Sequence, residues 1–143
     1  MSTGIIVNGT KEVLLYNYFY DQLNRLTAMM PYECSTLATS NSWTGKIQSQ
    51  YYNCSYSYDR NGNLLSLHRD GRTTINMDDI DYSYTREAVT ERLLSERLLR
   101  ANDPSGATGQ NDVGLQPEPV NYAYDAIGNL FSDAAEGINS ISW

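Results

Sequence analysis

Two stretches of this chain align without a gap: Tyr56-Ser57-Tyr58-Asp59-Arg60-Asn61-Gly62-Asn63-Leu64 and Tyr122-Ala123-Tyr124-Asp125-Ala126-Ile127-Gly128-Asn129-Leu130. Each then reaches a further glycine at the same offset, Gly71 and Gly137. An earlier copy, Tyr18-Phe19-Tyr20-Asp21-Gln22-Leu23-Asn24-Arg25-Leu26, keeps the tyrosine pair, the aspartate and the leucine but has Asn24 in place of glycine. A fourth, Tyr82-Ser83-Tyr84-Thr85, keeps the tyrosines and loses the aspartate. Internal repetition limits the fold more than any other feature, because a repeated unit has to be one supersecondary element used several times.

The unit reads as a β-hairpin. Side chains alternate across a strand, so Tyr-x-Tyr puts both rings on one face. Aspartate follows where the chain must turn, and its short carboxylate can accept hydrogen bonds from backbone N–H groups one or two residues on. Gly62 and Gly128 supply a residue that tolerates positive φ, as a short hairpin loop with a bulge requires. Asn24 is the residue type that best replaces glycine there. Leu64 and Ser66, and Leu130 and Ser132, begin the return strands.

Composition agrees with strands. Twelve Tyr stand against two Phe and two Trp, with 41% hydrophobic residues and a mean hydropathy of −0.50. Tyrosine covers a pleated surface with its ring while its hydroxyl reaches water or backbone. The expected fold is therefore mainly all-β. It is a single repeat region over 1–143, with repeat cores near 14–30, 51–71, 80–100 and 120–143 and polar loops near 35–50 and 101–119. Residues 85–100 have helical propensity but no single apolar stripe, so the expectation there is a strand pair with an inserted turn or short helix.

A net charge of −7, with no run of Lys or Arg, excludes nucleic acid as a partner, because binding it needs clustered cations. Arg86, Arg92, Arg97 and Arg100 interleave with Glu87, Glu91 and Glu96, the pattern of a mutually compensated surface. No stretch approaches the roughly 18 apolar residues of a membrane span, and no secretory signal is visible at the N-terminus.

The repeats resemble the YD repeats of the Rhs family, whose unit runs Tyr-x-Tyr-Asp-x-x-Gly-Asn/Arg-Leu with a glycine some residues on. The resemblance covers about Leu14 to Trp143 and rests on Tyr18, Tyr20, Asp21, Tyr56, Tyr58, Asp59, Gly62, Asn63, Gly71, Tyr82, Tyr84, Tyr122, Tyr124, Asp125, Gly128, Asn129 and Gly137. It implies tandem hairpins joined edge to edge in an open, curved sheet, part of a larger shell around a toxin domain or other cargo. It also implies neighbouring repeats of a longer chain, or self-association through edge strands, as partners, and a secreted or cell-surface location. Asp103-Pro104-Ser105-Gly106 shares letters with the cleavage element of that family, but it sits between repeats and reads as a type I turn.

No catalytic, cofactor or metal residue is expected. His68 has no nucleophile pattern beside it and reads as a strand histidine. Asp78, Asp79 and Asp81 lack the spacing of a calcium loop and read as a solvated loop. Cys34 and Cys54 are in no C-x-x-C pairing, which leaves a disulfide and separate thiols both open. Asn8-Gly9-Thr10 and Asn53-Cys54-Ser55 match the N-glycosylation acceptor pattern. The competing reading is an extracellular module in which exposed tyrosine rings stack on a glycan; a cross-strand tyrosine ladder explains the same residues.

Overall fold

The hairpin pattern governs the chain throughout. A computed structural model describes residues 2–6, 13–34, 42–105, 115–116 and 119–143. Among these every regular element is a strand: β1 (Ser2–Ile6), β2 (Val13–Tyr20), β3 (Leu26–Cys34), β4 (Ile47–Gln48), β5 (Cys54–Tyr58), β6 (Leu64–Arg69), β7 (Asp78–Arg86), β8 (Leu93–Asn102), β9 (Tyr122–Tyr124) and β10 (Leu130–Asp133). The described pairings are antiparallel, and the fold is all-β with open sheets.

The chain divides into two compact units. The first comprises residues 1–57 and 67–77. In it β2 pairs β1 on one side and β3 on the other, and β3 pairs both β4 and β5. β4 lies inside the stretch expected to be a polar loop; its two residues pair with Tyr32 and Glu33. Residues 35–41 of that loop lie outside the described residues. Cys34 and Cys54 are separate thiols, Cys34 buried and Cys54 half-buried.

The second unit comprises residues 58–66 and 78–143. It holds the tip of the β5–β6 hairpin, the β7–β8 hairpin and the β9–β10 hairpin. The stretch 85–100 is a strand pair joined by a turn: β7 runs to Arg86, the chain reverses over 87–92, and β8 returns from Leu93. Its register slips twice, between Ser83 and Tyr84 and between Tyr84 and Arg86, as bulges do when one strand has more residues than its partner. Asp78, Asp79 and Asp81 belong to β7 rather than to a loop, and alternation separates them. Asp78 is buried, while Asp79 and Asp81 are exposed. Of the second expected loop, 101–102 belong to β8, and 106–114 and 117–118 lie outside the described residues.

Alternation along β5 and β9 is as the tyrosine spacing requires. Tyr56, Tyr58, Tyr122 and Tyr124 are half-buried, and Ser55, Ser57 and Ala123 are exposed. In the first copy Tyr20 is exposed instead. Among the described residues the buried hydrophobics are Cys34, Ile80 and Ala101, against six buried polar residues, including Asp78, Asp103, Gln116 and Asn121. Hydrogen bonding, more than an oily core, therefore organises each unit.

The turns test the glycine argument. Asn24 has φ 59, Gly62 φ 95 and Gly128 φ 100, so asparagine and glycine occupy the positive-φ position of the same turn. A Cβ on Gly62 would meet nothing within 4 Å, so any cost there is backbone strain alone. Gly62→Ala is expected to destabilise the chain by about 1 kcal/mol, whereas Asn24→Gly should be nearly neutral. Urea unfolding of the two variants beside the parent checks this, and equal midpoints would refute it. Gly71 and Gly137 are not equivalent. Gly137 has φ 69 in a turn, whereas Gly71 is buried and its Cβ would lie 3.0 Å from Met77 Sδ, so it is held by close packing.

Candidate functional site

The repeat aspartates close their turns in one way. Asp59 Oδ1 accepts the N–H groups of Asn61 and Asn63, both at 2.9 Å, and its Oδ2 accepts Asn63 Nδ2 at 3.0 Å. Asp125 Oδ1 accepts the N–H groups of Ile127 at 3.0 Å, Gly128 at 2.8 Å and Asn129 at 2.8 Å, with Asn129 Nδ2 on Oδ2 at 2.9 Å. Asp21 Oδ1 accepts Leu23 and Arg25 N–H at 2.8 and 2.9 Å, and the Arg25 guanidinium takes the place of the asparagine amide at 2.7 Å. Backbone bonds repeat too: the aspartate N–H donates to the carbonyl four residues on, and its carbonyl accepts from the residue with positive φ. The Asp-x-x-Gly-Asn motif therefore encodes a carboxylate that satisfies the loop's own donors.

These bonds act on the acids. At Asp59 and Asp125 desolvation pushes the carboxyl upward, but the donors of Asn63 or Asn129 and of the turn outweigh it, and both titrate below the ordinary range. Asp21 is lowered chiefly by the Arg25 backbone N–H.

The fourth hairpin solves the same problem with other residues. Thr85 stands where aspartate is expected, and the turn closes later, on Glu87. Its N–H donates to Arg92 O at 2.9 Å, its carbonyl accepts Glu91 N–H at 3.0 Å, and its carboxylate accepts the Thr90 hydroxyl. Glu91 takes the positive φ, 54. The sequence signal was the acid ahead of Thr90 and Arg92, masked because the loop is longer than in the other copies.

Within the second unit the hairpins are tied to one another. Tyr84 donates its hydroxyl to Leu64 O at 2.9 Å, and Tyr124 donates to Leu98 O at 3.1 Å. Burial raises the pKa of both phenols; the Asp59 carboxylate adds to this at Tyr84, and the Tyr122 phenol at Tyr124. Arg97 lies over the Tyr124 ring, 5.7 Å from its centroid. Gln116, outside any strand, bonds the Ala101 N–H through Oε1 at 2.9 Å and the Tyr122 hydroxyl through Nε2 at 3.1 Å. Asn121 donates its N–H to Leu99 O at 2.7 Å and its side-chain amide to Asp133 at 2.8 Å. No sequence signal picked out Gln116 or Asn121; each works through one amide placed by neighbouring strands.

A groove of about 560 Å³ lies between the turn at 59–61 and the turn at 87–92, with Arg60, Arg86, Glu91 and Arg92 in its wall. Its cations are largely engaged. Arg86 sits 3.7 Å from Asp59 Oδ2 and donates to Glu91 O at 3.2 Å, and Arg92 sits 3.6 Å from Glu87. The exposed Arg92–Glu87 pair lies within one turn and contributes little stability; adjacent tips are held together by the part-buried Arg86–Asp59 pair and by Asn61 Nδ2 on Glu96 at 3.3 Å.

In the first unit His68 lies on β6 with Nε2 3.3 Å from Asp70 Oδ1. That carboxylate also accepts the Asn76 N–H at 2.6 Å, an arrangement that shapes the turn following β6. Asp103 Oδ1 accepts the Ser105 N–H at 2.8 Å and the Asp79 N–H at 3.0 Å, a side-chain turn that also anchors β7. Among the described residues no cluster of His, Cys, Asp and Glu is gathered as a metal-ligand set, and no helix is long and apolar enough to cross a membrane.

Comparisons with protein-family models, with curated proteins and with solved structures find no match to this chain. What the fold and these contacts define is an all-β chain of antiparallel hairpins whose motif residues close turns.

Proposed function

We propose that this chain is a non-catalytic wall segment of an Rhs/YD-type β-shell, in which hairpins are added edge to edge to enclose a toxin domain or other cargo. The observation that carries this reading is the recurrence, at Asp21, Asp59 and Asp125, of one carboxylate-closed turn. Among the residues that define the repeat, the aspartates close hairpin turns, and Tyr84 and Tyr124 join one hairpin to the next. Surface apolarity fits the same role: Phe19, Leu94, Phe131 and Trp143 are exposed, and groups like these are covered when further strands or cargo adjoin them. Sugar stacking draws no support from Tyr84 and Tyr124, whose hydroxyls are committed to main-chain carbonyls.

The test is the mass of the native gene product on an immunoblot, read with sedimentation of the isolated chain. A product far above 16.1 kDa carrying further Tyr-x-Tyr-Asp units is expected, together with concentration-dependent association of the isolated chain. A native product at 16.1 kDa that sediments as a monomer and unfolds cooperatively would overturn the wall reading.

A further inference from the structure

The last described residues repeat a contact that the motif did not announce. Tyr84 and Tyr124, each the second ring of a Tyr-x-Tyr strand, donate to Leu64 O and Leu98 O. Trp143 donates its indole Nε1 to Leu130 O at 2.8 Å. Leu64 and Leu130 hold the same motif position, the leucine after Gly-Asn. Leu98 and Leu130 share a second property: each lies directly across from the second tyrosine of its own hairpin, Leu98 from Tyr84 and Leu130 from Tyr124. The backbone bonds correspond as well. Next to Leu98, Leu99 O accepts the Asn121 N–H at 2.7 Å, and next to Leu130, Phe131 O accepts the Ile141 N–H at 2.8 Å. In both places two consecutive carbonyls of a return strand receive, in order, a ring donor and a main-chain N–H from the segment alongside.

We infer that these paired carbonyls form an acceptor site that selects a neighbouring segment by its aromatic ring donor, and that Ile141-Ser142-Trp143 occupies the site on β10 as residues 121–124 occupy the one on β8, with its ring donor two residues beyond the N–H donor rather than three. Trp143 is then a positioning residue, the ring that sets the register of residues 141–143. Its indole is mostly exposed, with 79% of the residue open to solvent. Burial of the ring therefore does little to hold it, and the directed N–H bond is what distinguishes this placement from a slipped one. The site takes a ring O–H or N–H that lies two or three residues beyond the main-chain donor. It discriminates against phenylalanine, which has the ring but no donor, because the leucine carbonyl would lose its partner. The inference deepens the wall reading by saying what joins one hairpin to the next.

Amide hydrogen exchange of the full chain tests it, with Trp143→Phe and Trp143→Tyr beside the parent. The expected result is that Trp143→Phe speeds exchange of the Ile141 amide by about fivefold, the loss of one net hydrogen bond. Trp143→Tyr should hold it near the parent rate, while the Ala101 amide, bonded to Gln116, is unchanged in both. Equal Ile141 protection in the parent and Trp143→Phe would overturn the inference, and so would a loss in both variants, since a ring that acts only by its bulk is not rescued by a donor. Neither outcome touches the native mass by which the wall reading is tested.

Discussion

Asn121→Ala is expected to destabilise the second unit by about 2 kcal/mol, from two part-buried side-chain bonds of which one is to a carboxylate. Asn121 is 4% exposed. Its Nδ2 donates to Asp133 Oδ1 at 2.8 Å and its Oδ1 accepts the Ala135 N–H at 2.6 Å. Its main chain joins two further elements, donating to Leu99 O at 2.7 Å and accepting the Ala134 N–H at 3.0 Å. Truncation keeps those backbone bonds in principle but removes the partner of the Ala135 N–H and one of the donors to Asp133 Oδ1, which retains the Glu136 N–H, in a part-buried site. Asn121→Asp should be worse than Ala at neutral pH, because it sets a carboxylate against Asp133 where an amide donor stood. Urea unfolding with fluorescence detection checks both variants. Losses below about 0.5 kcal/mol, the range of an ordinary surface substitution, would mean that the Asn121 side chain does not fasten the end of β10 to the start of β9.

The contrast between Asn121 and the repeat aspartates shows what the sequence made legible. A local device that recurs can be read, because each copy checks the others. The tyrosine alternation, the acid at the turn and the positive φ at Asn24, Gly62 and Gly128 all follow from residues within one hairpin. The all-β class follows from the same residues. What escaped detection was non-local or used substitute residues. Glu87 closes a turn that Thr85 cannot, from a longer loop. Gln116 supplies a strand-like acceptor to Ala101 from outside any strand. Trp143 makes the contact of a tyrosine without looking like one. The aspartates at 78, 79 and 81 misled in the other direction. A run of acids reads as a solvated loop, yet Asp78 is buried and β7 begins there because alternation sends only Asp79 and Asp81 outward.

The turn acids carry the second large effect, and its pH dependence has a definite sign. Each repeat aspartate is held below the ordinary carboxylate range, Asp59 and Asp125 by donors that outweigh desolvation and Asp21 chiefly by the Arg25 N–H. A carboxyl whose folded pKa lies below its unfolded value, about 3.9 for aspartate, contributes stability that is present in full above that unfolded value. The contribution is lost as pH falls through the folded value, because the unfolded chain takes up protons first. Stability should therefore be flat from neutrality down to about pH 5 and fall steeply below about pH 4. Asp59→Ala, which removes three accepted bonds in a half-buried turn and the partner of Arg86, should cost about 2 kcal/mol at pH 7 and less at pH 3, where protons taken up by this aspartate in the unfolded chain have already removed part of the parent's advantage. Asp59→Asn separates shape from charge. Its side-chain carbonyl can still accept from Asn61 and Asn63, but its amide faces Asn63 Nδ2 and Arg86 as donor against donor, so an intermediate loss is expected at pH 7. Urea titrations of the parent and both variants at the two pH values give the comparison directly. If Asp59→Ala costs as much at pH 3 as at pH 7, the carboxylate is not what closes the turn, and the loop is held by its backbone bonds and the positive φ of Gly62 alone.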